Sequence, residues 1–167
     1  MDIEVFPPST LRWRGRDFTC VLGKGGARAD KREGDGATPT GRFLLRRVFY
    51  RPDRLAAPAS KLPVVALAPS DGWCDDPTDA AYNRPVALPY PAGHEELWRA
   101  DAVYDVIVQL GHNDDPVVKG AGSAVFMHVA RPDRAPTEGC VALSLDDLLL
   151  VLEGCGPETA IVIHSPA

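Results

Sequence analysis

The sequence predicts a mostly β domain with one principal helix, and three observations support this fold class. Segments rich in Val, Ile and aromatic residues recur along the chain, most clearly at residues 103–110 and 124–129, and such residues favour strands. Only Leu145–Glu153 combines a helix start signal with a helix stop signal. A chain of 167 residues is long enough to bury a sizeable core, so we expect a single domain over residues 1–167.

The other strands are expected from short β-prone runs that lie between clusters of turn-forming residues. Arg14, Gly15 and Arg16 separate two such runs near the N-terminus, a pattern typical of a β-hairpin. The remaining expected strands are residues 3–6, 11–14, 18–22, 42–50, 63–68 and 159–164.

The expected helix, Leu145–Glu153, has clear signals at both ends. Ser144 can cap its N-terminus, because a serine hydroxyl accepts a hydrogen bond from a first-turn amide. Asp146 and Asp147 place negative charge in that first turn, where the helix dipole favours it. Gly154 then ends the helix.

The charge of the chain excludes some classes of partner. It carries 18 Lys and Arg against 23 Asp and Glu, a formal net charge of −5, whereas a nucleic-acid-binding domain is marked by a basic patch. No run of 18 apolar residues occurs, so no membrane span is expected. Four cysteines are present, and an even count with irregular spacing fits free thiols as well as one disulfide.

Residues 69–99 are rich in turn formers and contain single aromatic residues, among them Trp73, Tyr82 and Tyr90. Rigid aromatic side chains on loops above a β scaffold are suited to a substrate groove or lid. The alternative is that these side chains fill the ends of the sheets, since aromatic residues dominate core burial. We retain Trp73, Tyr82 and Tyr90 as candidate substrate-binding residues beside that alternative.

His128 and Cys140 stand at the ends of two strand-like segments, with a Pro-bracketed loop, residues 130–136, between them. A free thiol has a pKa of about 8.5, so a histidine within hydrogen-bond reach is the usual means of activating it for nucleophilic attack. Each residue also has a structural interpretation, because free cysteine is often buried and a strand histidine is often only hydrogen-bonded. The pair together favours thiol acyl transfer.

A zinc site is the other chemical interpretation of these side chains. His112, His128 and Cys140 are its candidate ligands. Structural zinc sites usually show Cys-x-x-Cys or His-x-x-x-His spacing, and this chain has neither. We therefore expect no metal and no cofactor.

Two blocks of the chain resemble the L,D-transpeptidase (YkuD-type) family of peptidoglycan cysteine enzymes. The first is residues 31–43, which include Gly34-Asp35-Gly36-Ala37-Thr38-Pro39-Thr40-Gly41. The second runs from Gly111-His112 through the strand that ends near His128 to Pro136-Thr137-Glu138-Gly139-Cys140-Val141-Ala142-Leu143. The resemblance implies an L,D-transpeptidase-like β-sandwich.

The resemblance also implies roles for individual residues. Cys140 would be the nucleophile and His128 its base, with a backbone carbonyl near Val129 orienting the imidazole. The amides of Gly139 and Cys140 would form the oxyanion hole. The further candidate substrate-binding residues are His112, Thr137, Glu138 and Arg131.

The chain departs from the common family pattern around the nucleophile. Glu138 stands where the family usually has His, and Ala142 stands where it has Arg or Asn. The spacing from His128 to Cys140 is also shorter than usual. These departures lie among the residues that would bind the donor peptide, so a non-standard donor is compatible with the sequence.

We therefore expect a cysteine acyltransferase that cross-links peptidoglycan stem peptides through a thioester. The link would be a 3-3 diaminopimelate link, or a 1-3 link from an L-Ala donor. The alternatives are a carboxypeptidase, endopeptidase or amidase that hydrolyses the same peptides, and a non-catalytic peptidoglycan-binding module. The resemblance implies the periplasm or cell envelope, although residues 1–8 show no signal-peptide pattern. We expect a monomer.

Overall fold

The computed structural model describes residues 1–167, and its elements are mainly short strands. The strands are β1 (Ile3–Phe6), β2 (Thr10–Trp13), β3 (Arg16–Thr19), β4 (Ala27–Arg28), β5 (Thr38–Pro39), β6 (Gly41–Tyr50), β7 (Val64–Ala66), β8 (Asp71–Cys74), β9 (Pro85–Ala87), β10 (His94–Glu96), β11 (Val106–Leu110), β12 (Phe126–Val129), β13 (Val141–Leu143) and β14 (Ala160–Ile163), and the helix is α1 (Leu145–Glu153). The expected mostly β fold with one principal helix is confirmed.

The main sheet has nine strands in the order β13-β12-β11-β6-β14-β1-β2-β3, with β7 also paired to β6. The sheet curls so that the chain just after β3 meets β13 at the opposite edge. There, Val21 and Ala142 exchange two backbone hydrogen bonds, each of 2.8 Å. This contact, which we call the seam, leaves the edge near β13 paired instead of exposed.

Strand alternation divides the apolar residues into two layers. On β11, Val106, Val108 and Leu110 belong to a core cluster of 25 buried residues, whereas Ile107 belongs to a second cluster of ten. On β12 the same division places Phe126 in the second cluster. The two layers are those expected of a β-sandwich.

The helix and the first hairpin match the sequence-based expectation. The Ser144 hydroxyl accepts a hydrogen bond of 3.3 Å from the Asp147 N–H, so it caps α1 as expected. Between β2 and β3, Arg14 and Gly15 both have positive φ, 50° and 76°, which is the backbone of a type I′ hairpin turn. Both features depend on local residues only.

Residues 69–99 differ from the expected loop, because they contain a three-stranded sheet in the order β10-β8-β9. Its strands have three or four residues each, too few for an alternation pattern to be recognised. Trp73 and Leu97 from this segment belong to the second apolar cluster. The small sheet therefore covers one face of the main sheet near β11 and β12.

Several expected strands are shorter than predicted. Those expected at residues 63–68, 124–129 and 159–164 are reduced to Val64–Ala66, Phe126–Val129 and Ala160–Ile163. The one expected at residues 103–110 begins only at Val106, because the Asp101 carboxylate accepts from the Val103 N–H at 3.3 Å and holds a turn there. The one expected at 18–22 ends at Thr19, and the next residues turn towards the seam.

All four cysteines are free thiols. The only helix is too short to cross a membrane.

Candidate active site

Parallel pairing of β12 with β13 places the proposed catalytic side chains on one face of the sheet. Met127 pairs with Val141 and His128 with Ala142. Since side chains alternate along strands, Phe126 and His128 share a face with Cys140 and Ala142. That face lines a cavity of about 430 Å³, whose walls include both Cys140 and His128.

Cys140 lines this cavity and has 8% of its surface exposed. Its thiol donates a hydrogen bond to the Ala124 carbonyl oxygen at 3.2 Å and accepts one from the Phe126 N–H at 3.4 Å. Burial, and then the charge of Glu95, raise the pKa of Cys140 to about 12. The resting side chain is therefore a neutral thiol held by the backbone.

His128 is buried to a similar degree, with 6% of its surface exposed. Its Nδ1 lies 2.9 Å from the Val129 carbonyl oxygen, the backbone contact expected from the sequence. A carbonyl oxygen only accepts, so Nδ1 carries the proton and Nε2 is the free acceptor. Nε2 has no hydrogen-bond partner in the protein, and burial lowers the pKa of the imidazole to about 4. The base is neutral and available.

The turn from Thr137 to Cys140 is held by one hydroxyl. Thr137 Oγ1 donates to the Cys140 carbonyl oxygen at 2.7 Å and accepts from the Gly139 N–H at 3.1 Å. Of the two amides expected in an oxyanion hole, that of Gly139 is therefore engaged. The Cys140 N–H makes no hydrogen bond and is the amide left to receive an oxyanion.

The first motif block of the sequence, residues 31–43, contacts this turn. Thr137 is flanked by the chain at residues 22–24 through two backbone hydrogen bonds, of 3.0 and 2.8 Å. Gly139 has φ +142°, and a Cβ built on it would lie 2.7 Å from the Ala37 carbonyl oxygen. A Cβ on Gly23 would lie 2.2 Å from the Gly36 oxygen. Only glycine fits these approaches.

Lys31, also from that block, is a buried cation at the same turn. Its side chain is 7% exposed, and its ammonium lies 2.6 Å from an Asp35 carboxylate oxygen. The ammonium is also 3.4 Å from the position that a Gly139 Cβ would occupy. Burial acts to raise the pKa of Asp35, but hydrogen bonds from Lys31 and from the Ala37 and Arg32 amides outweigh it and bring the pKa to about 2. Lys31 thus lines the cavity beside Cys140.

Six of the residues predicted for the site lie on the cavity walls. Beside Cys140, His128 and Gly139, these are Thr137, Glu138 and Arg131. Glu138 is largely exposed at the rim, where its carboxylate pairs with Lys24 at 2.9 Å. Its position matches that of the family's histidine, and its charge is already paired with a lysine.

His112 is not a wall residue of the cavity. Its ring lies edge-on to Phe43 at 5.3 Å, and its Nδ1 is buried without a hydrogen-bond partner. Burial and then Lys31 lower the pKa of His112 to about 4. No three His, Cys, Asp or Glu side chains are grouped so that they could hold a metal ion, so the His112, His128 and Cys140 set is not assembled.

The three predicted aromatic residues of the middle segment also lie outside the cavity wall. Trp73 is buried, packs edge-on against Phe126 at 5.1 Å, and donates to Asn83 Oδ1 at 3.0 Å. The Tyr82 hydroxyl donates to Glu33 at 2.7 Å, and that of Tyr90 donates to Asp79. The Tyr82 hydroxyl thus binds Glu33, which lines the cavity, whereas Trp73 and Tyr90 contact side chains outside the cavity wall. These contacts are closer to the packing interpretation than to the groove interpretation.

Sequence reasoning missed several wall residues. They are Lys31, Glu33, Asp75, Glu95, Arg99 and Tyr104. Lys31 and Glu33 fall inside the first motif block and could have been found there. The others come from turns and short strands with no motif or spacing that would connect them to Cys140.

The protein has a mostly β fold with a thiol and an imidazole on one cavity wall, an arrangement compatible with thiol acyl-transfer chemistry. Comparison of sequences gives the family. The chain belongs to the L,D-transpeptidase catalytic domain family (YkuD), which matches residues 3–163. The match includes both motif blocks and every residue on the cavity wall.

Similarity to individual known proteins is more distant. One similar solved structure is that of the helical cell shape determining protein Pgp2 from Campylobacter jejuni, with 14% sequence identity and a TM-score of 0.45. The alignment covers 99% of this chain and 48% of that one, so this chain spans about half of its length. No curated protein matches the sequence.

Gly139→Ala is expected to destabilise the fold by about 2 kcal/mol or more, because the new Cβ meets the Ala37 oxygen and the positive φ is strained. Gly120→Ala is the matched control. Gly120 also has positive φ, but a Cβ there has open space. Urea unfolding gives the free energy of unfolding of both variants and so separates the clash with the Ala37 oxygen from the backbone strain. Equal losses of stability in the two variants would contradict the clash.

Lys31→Met is expected to slow alkylation of Cys140 by iodoacetamide roughly tenfold, since a nearby buried cation stabilises the thiolate that reacts. Lys24→Met is the control, because Lys24 is exposed and paired with Glu138. Peptide mapping by mass spectrometry assigns the label to Cys140. An unchanged rate in Lys31→Met would mean that the ammonium does not act on the thiol.

Proposed function

We propose that this protein is a cysteine-dependent peptidoglycan L,D-transpeptidase in which Cys140 is the nucleophile and His128 the general base. The observation that supports this most directly is the free Nε2 of a buried His128, facing the cavity that Cys140 also lines. Membership of the L,D-transpeptidase family supplies the substrate class, the stem peptides of peptidoglycan.

Acylation begins from a neutral pair. With the Cys140 pKa raised to about 12 and the His128 pKa lowered to about 4, a thiolate–imidazolium pair is disfavoured before substrate binds. Nε2 therefore takes the thiol proton as Sγ attacks the donor carbonyl carbon. The Cys140 amide then donates to the new oxyanion.

The intermediate collapses when the C–N bond of the donor breaks and the imidazolium gives its proton to the leaving amine. The donor acyl group is now a thioester of Cys140. An acceptor amine attacks this thioester and passes its proton to His128. The C–S bond breaks, which returns the thiol and leaves a new amide cross-link.

Water in place of the acceptor amine would give hydrolysis, the outcome expected of a carboxypeptidase, endopeptidase or amidase. A peptidoglycan-binding module would give neither product. A protein that acts on this substrate class works in the cell envelope, which is the location we propose. The link type is a 3-3 diaminopimelate link for the usual donor and a 1-3 link for an L-Ala donor.

Purified muropeptides incubated with the protein are expected to give cross-linked dimers, detected by mass spectrometry. Cys140→Ala should abolish them, because no other thiol lines the cavity. Cys20→Ala, which removes a buried thiol outside the cavity, should retain them. Hydrolysed monomers in place of dimers would show that the protein is a hydrolase. Dimers formed by Cys140→Ala would show that Cys140 is not the nucleophile.

His128→Gln is expected to lower the rate of thioester formation by about 10² to 10⁴, the usual effect of losing a general base. His94→Gln serves as control, because His94 lies outside the cavity. The wild-type rate should persist as the pH falls below 6.5 and decline only near pH 4, where His128 becomes protonated. Single-turnover kinetics across this pH range measure both the effect of His128→Gln and the pH at which the rate declines. A decline centred near pH 6.5 would mean that a group other than His128 causes it.

A further inference from the structure

The oxyanion hole of the proposed reaction lacks one of its two expected backbone donors. Thr137 Oγ1 accepts from the Gly139 N–H at 3.1 Å, so that amide is engaged within the turn. Only the Cys140 N–H is left to donate. A tetrahedral oxyanion is stabilised by several preorganised donors aimed at one oxygen. A second donor would therefore have to come from elsewhere on the cavity wall.

Most side-chain donors on the wall already have a protein acceptor. Each wall hydroxyl donates its one proton to a protein oxygen, and these hydroxyls are those of Tyr104, Ser123 and Thr137. Arg99 and Arg131 both lie against the Asp101 carboxylate, at 2.7 and 3.6 Å. Lys31 differs, because an ammonium has three N–H donors and only one of them is used, by Asp35 at 2.6 Å.

Lys31 is held close to the nucleophile turn between two glycines that have positive φ. A Cβ on Gly122 would lie 3.1 Å from the Lys31 Cε, and a Cβ on Gly139 would lie 3.4 Å from the Lys31 Nζ. The side chain is 7% exposed, so bulk water reaches little of it. Because Lys31 lines the cavity, an acceptor bound there can meet its remaining N–H groups.

The Asp35 carboxylate fixes the ammonium but does not fully neutralise it. This carboxylate also accepts from the backbone amides of Arg32 and Ala37, each at 2.9 Å. Its negative charge is therefore shared among three donors. Burial raises the pKa of Cys140, and the charge of Lys31 is one of the influences that oppose this rise. The field of the ammonium thus reaches the nucleophile.

We propose that the Lys31 ammonium is the second donor of the oxyanion hole, in the place of the Gly139 amide. As Sγ of Cys140 bonds to the donor carbonyl carbon, His128 takes the thiol proton and the carbonyl π electrons move to the oxygen. That oxygen then accepts from the Cys140 N–H and from a free N–H of Lys31, and no proton leaves Lys31. The proposal rests on the proposed function, since it takes Cys140 as the nucleophile.

Two small reagents distinguish an oxyanion donor from a cation that only stabilises the thiolate. p-Nitrophenyl acetate acylates a thiol through a tetrahedral oxyanion, and p-nitrophenolate then leaves with the electron pair of the C–O bond. Iodoacetamide alkylates the thiol by direct displacement of iodide, without an oxyanion. Loss of thiolate stabilisation slows both reactions by the same factor, whereas loss of an oxyanion donor slows acylation further. The informative quantity is the ratio of the two rates at Cys140.

Lys31→Met should lower the ratio of acylation rate to alkylation rate by about 10² or more, the usual effect of losing one donor of an oxyanion hole. Peptide mapping by mass spectrometry assigns both labels to Cys140. Lys61→Met is the matched control, because Lys61 is exposed and lies outside the cavity, and it should leave the ratio unchanged. An unchanged ratio in Lys31→Met, or no acylation of Cys140 in the wild-type protein, would overturn the proposal.

The double variant Lys31→Met/Asp35→Asn tests whether a lower ratio has a structural origin. Lys31→Met alone leaves the carboxylate of Asp35 without its cation, and this unpaired charge would disturb the turn. The asparagine removes the charge and keeps an oxygen that can accept from the Ala37 amide. The ratio should stay low in the double variant, with urea unfolding to compare its stability with that of Lys31→Met. Recovery of the wild-type ratio would show that the unpaired carboxylate slowed acylation, and Lys31 would not be the donor.

Muropeptides incubated with the wild-type protein separate this proposal from the proposed function. A lower ratio in Lys31→Met, in a protein that gives neither cross-linked nor hydrolysed muropeptides, would support the oxyanion donor and refute the transpeptidase. Cross-linked muropeptides together with an unchanged ratio in Lys31→Met would support the transpeptidase and refute Lys31 as the donor.

Discussion

The site depends on a contact between backbones: the nucleophile turn rests directly on the segment that contains Gly36 and Ala37. The Ala37 carbonyl oxygen occupies the space where a side chain on residue 139 would begin, and the Gly36 oxygen does the same for residue 23. Because main chain meets main chain, small shifts in any one segment would be transmitted to Cys140. The position of the thiol therefore depends on two glycines, Gly139 on the cavity wall and Gly23 outside it.

Burial determines the charge state of the proposed catalytic pair, Cys140 and His128. It disfavours charge on both members, so the thiol stays protonated and the imidazole stays neutral. Such a site reacts slowly with a reagent that does not bind in the cavity. Lys31 supplies a cation near Cys140, in a chain that has Ala142 where the family pattern has Arg or Asn. Activation then depends on the bound substrate, whose carbonyl accepts the electron pair as the proton leaves.

The sequence could predict what depends on neighbouring residues. Helix α1 has the predicted bounds because Ser144 and Gly154 act on the adjacent turns, and the Arg14–Gly15 hairpin follows from two residues. Cys140 and His128 could be identified as site candidates from the sequence because each lies within a motif of consecutive residues. The fold brings both onto one face through the pairing of β12 with β13.

The remaining features arise from contacts between distant segments. Three carboxylates that line the cavity, Glu33, Asp75 and Glu95, come from separate segments, and no spacing in the sequence connects these segments. Tyr82 was predicted to touch substrate, but its hydroxyl holds Glu33 from behind. The sequence shows that an aromatic residue stands at position 82, but it does not show which way the side chain points. That direction depends on a small sheet whose strands are too short to recognise from the sequence.

The seam between Val21 and Ala142 has a consequence for how the protein reaches its working form. These residues are far apart in the sequence, yet their two hydrogen bonds lie two residues from the nucleophile. Contacts of such long sequence separation form late, because the loop-closure entropy must be overcome first. Cys140 therefore reaches its place on the cavity wall only when the sheet closes, and the site proposed for acylation is completed in the same folding step as the topology.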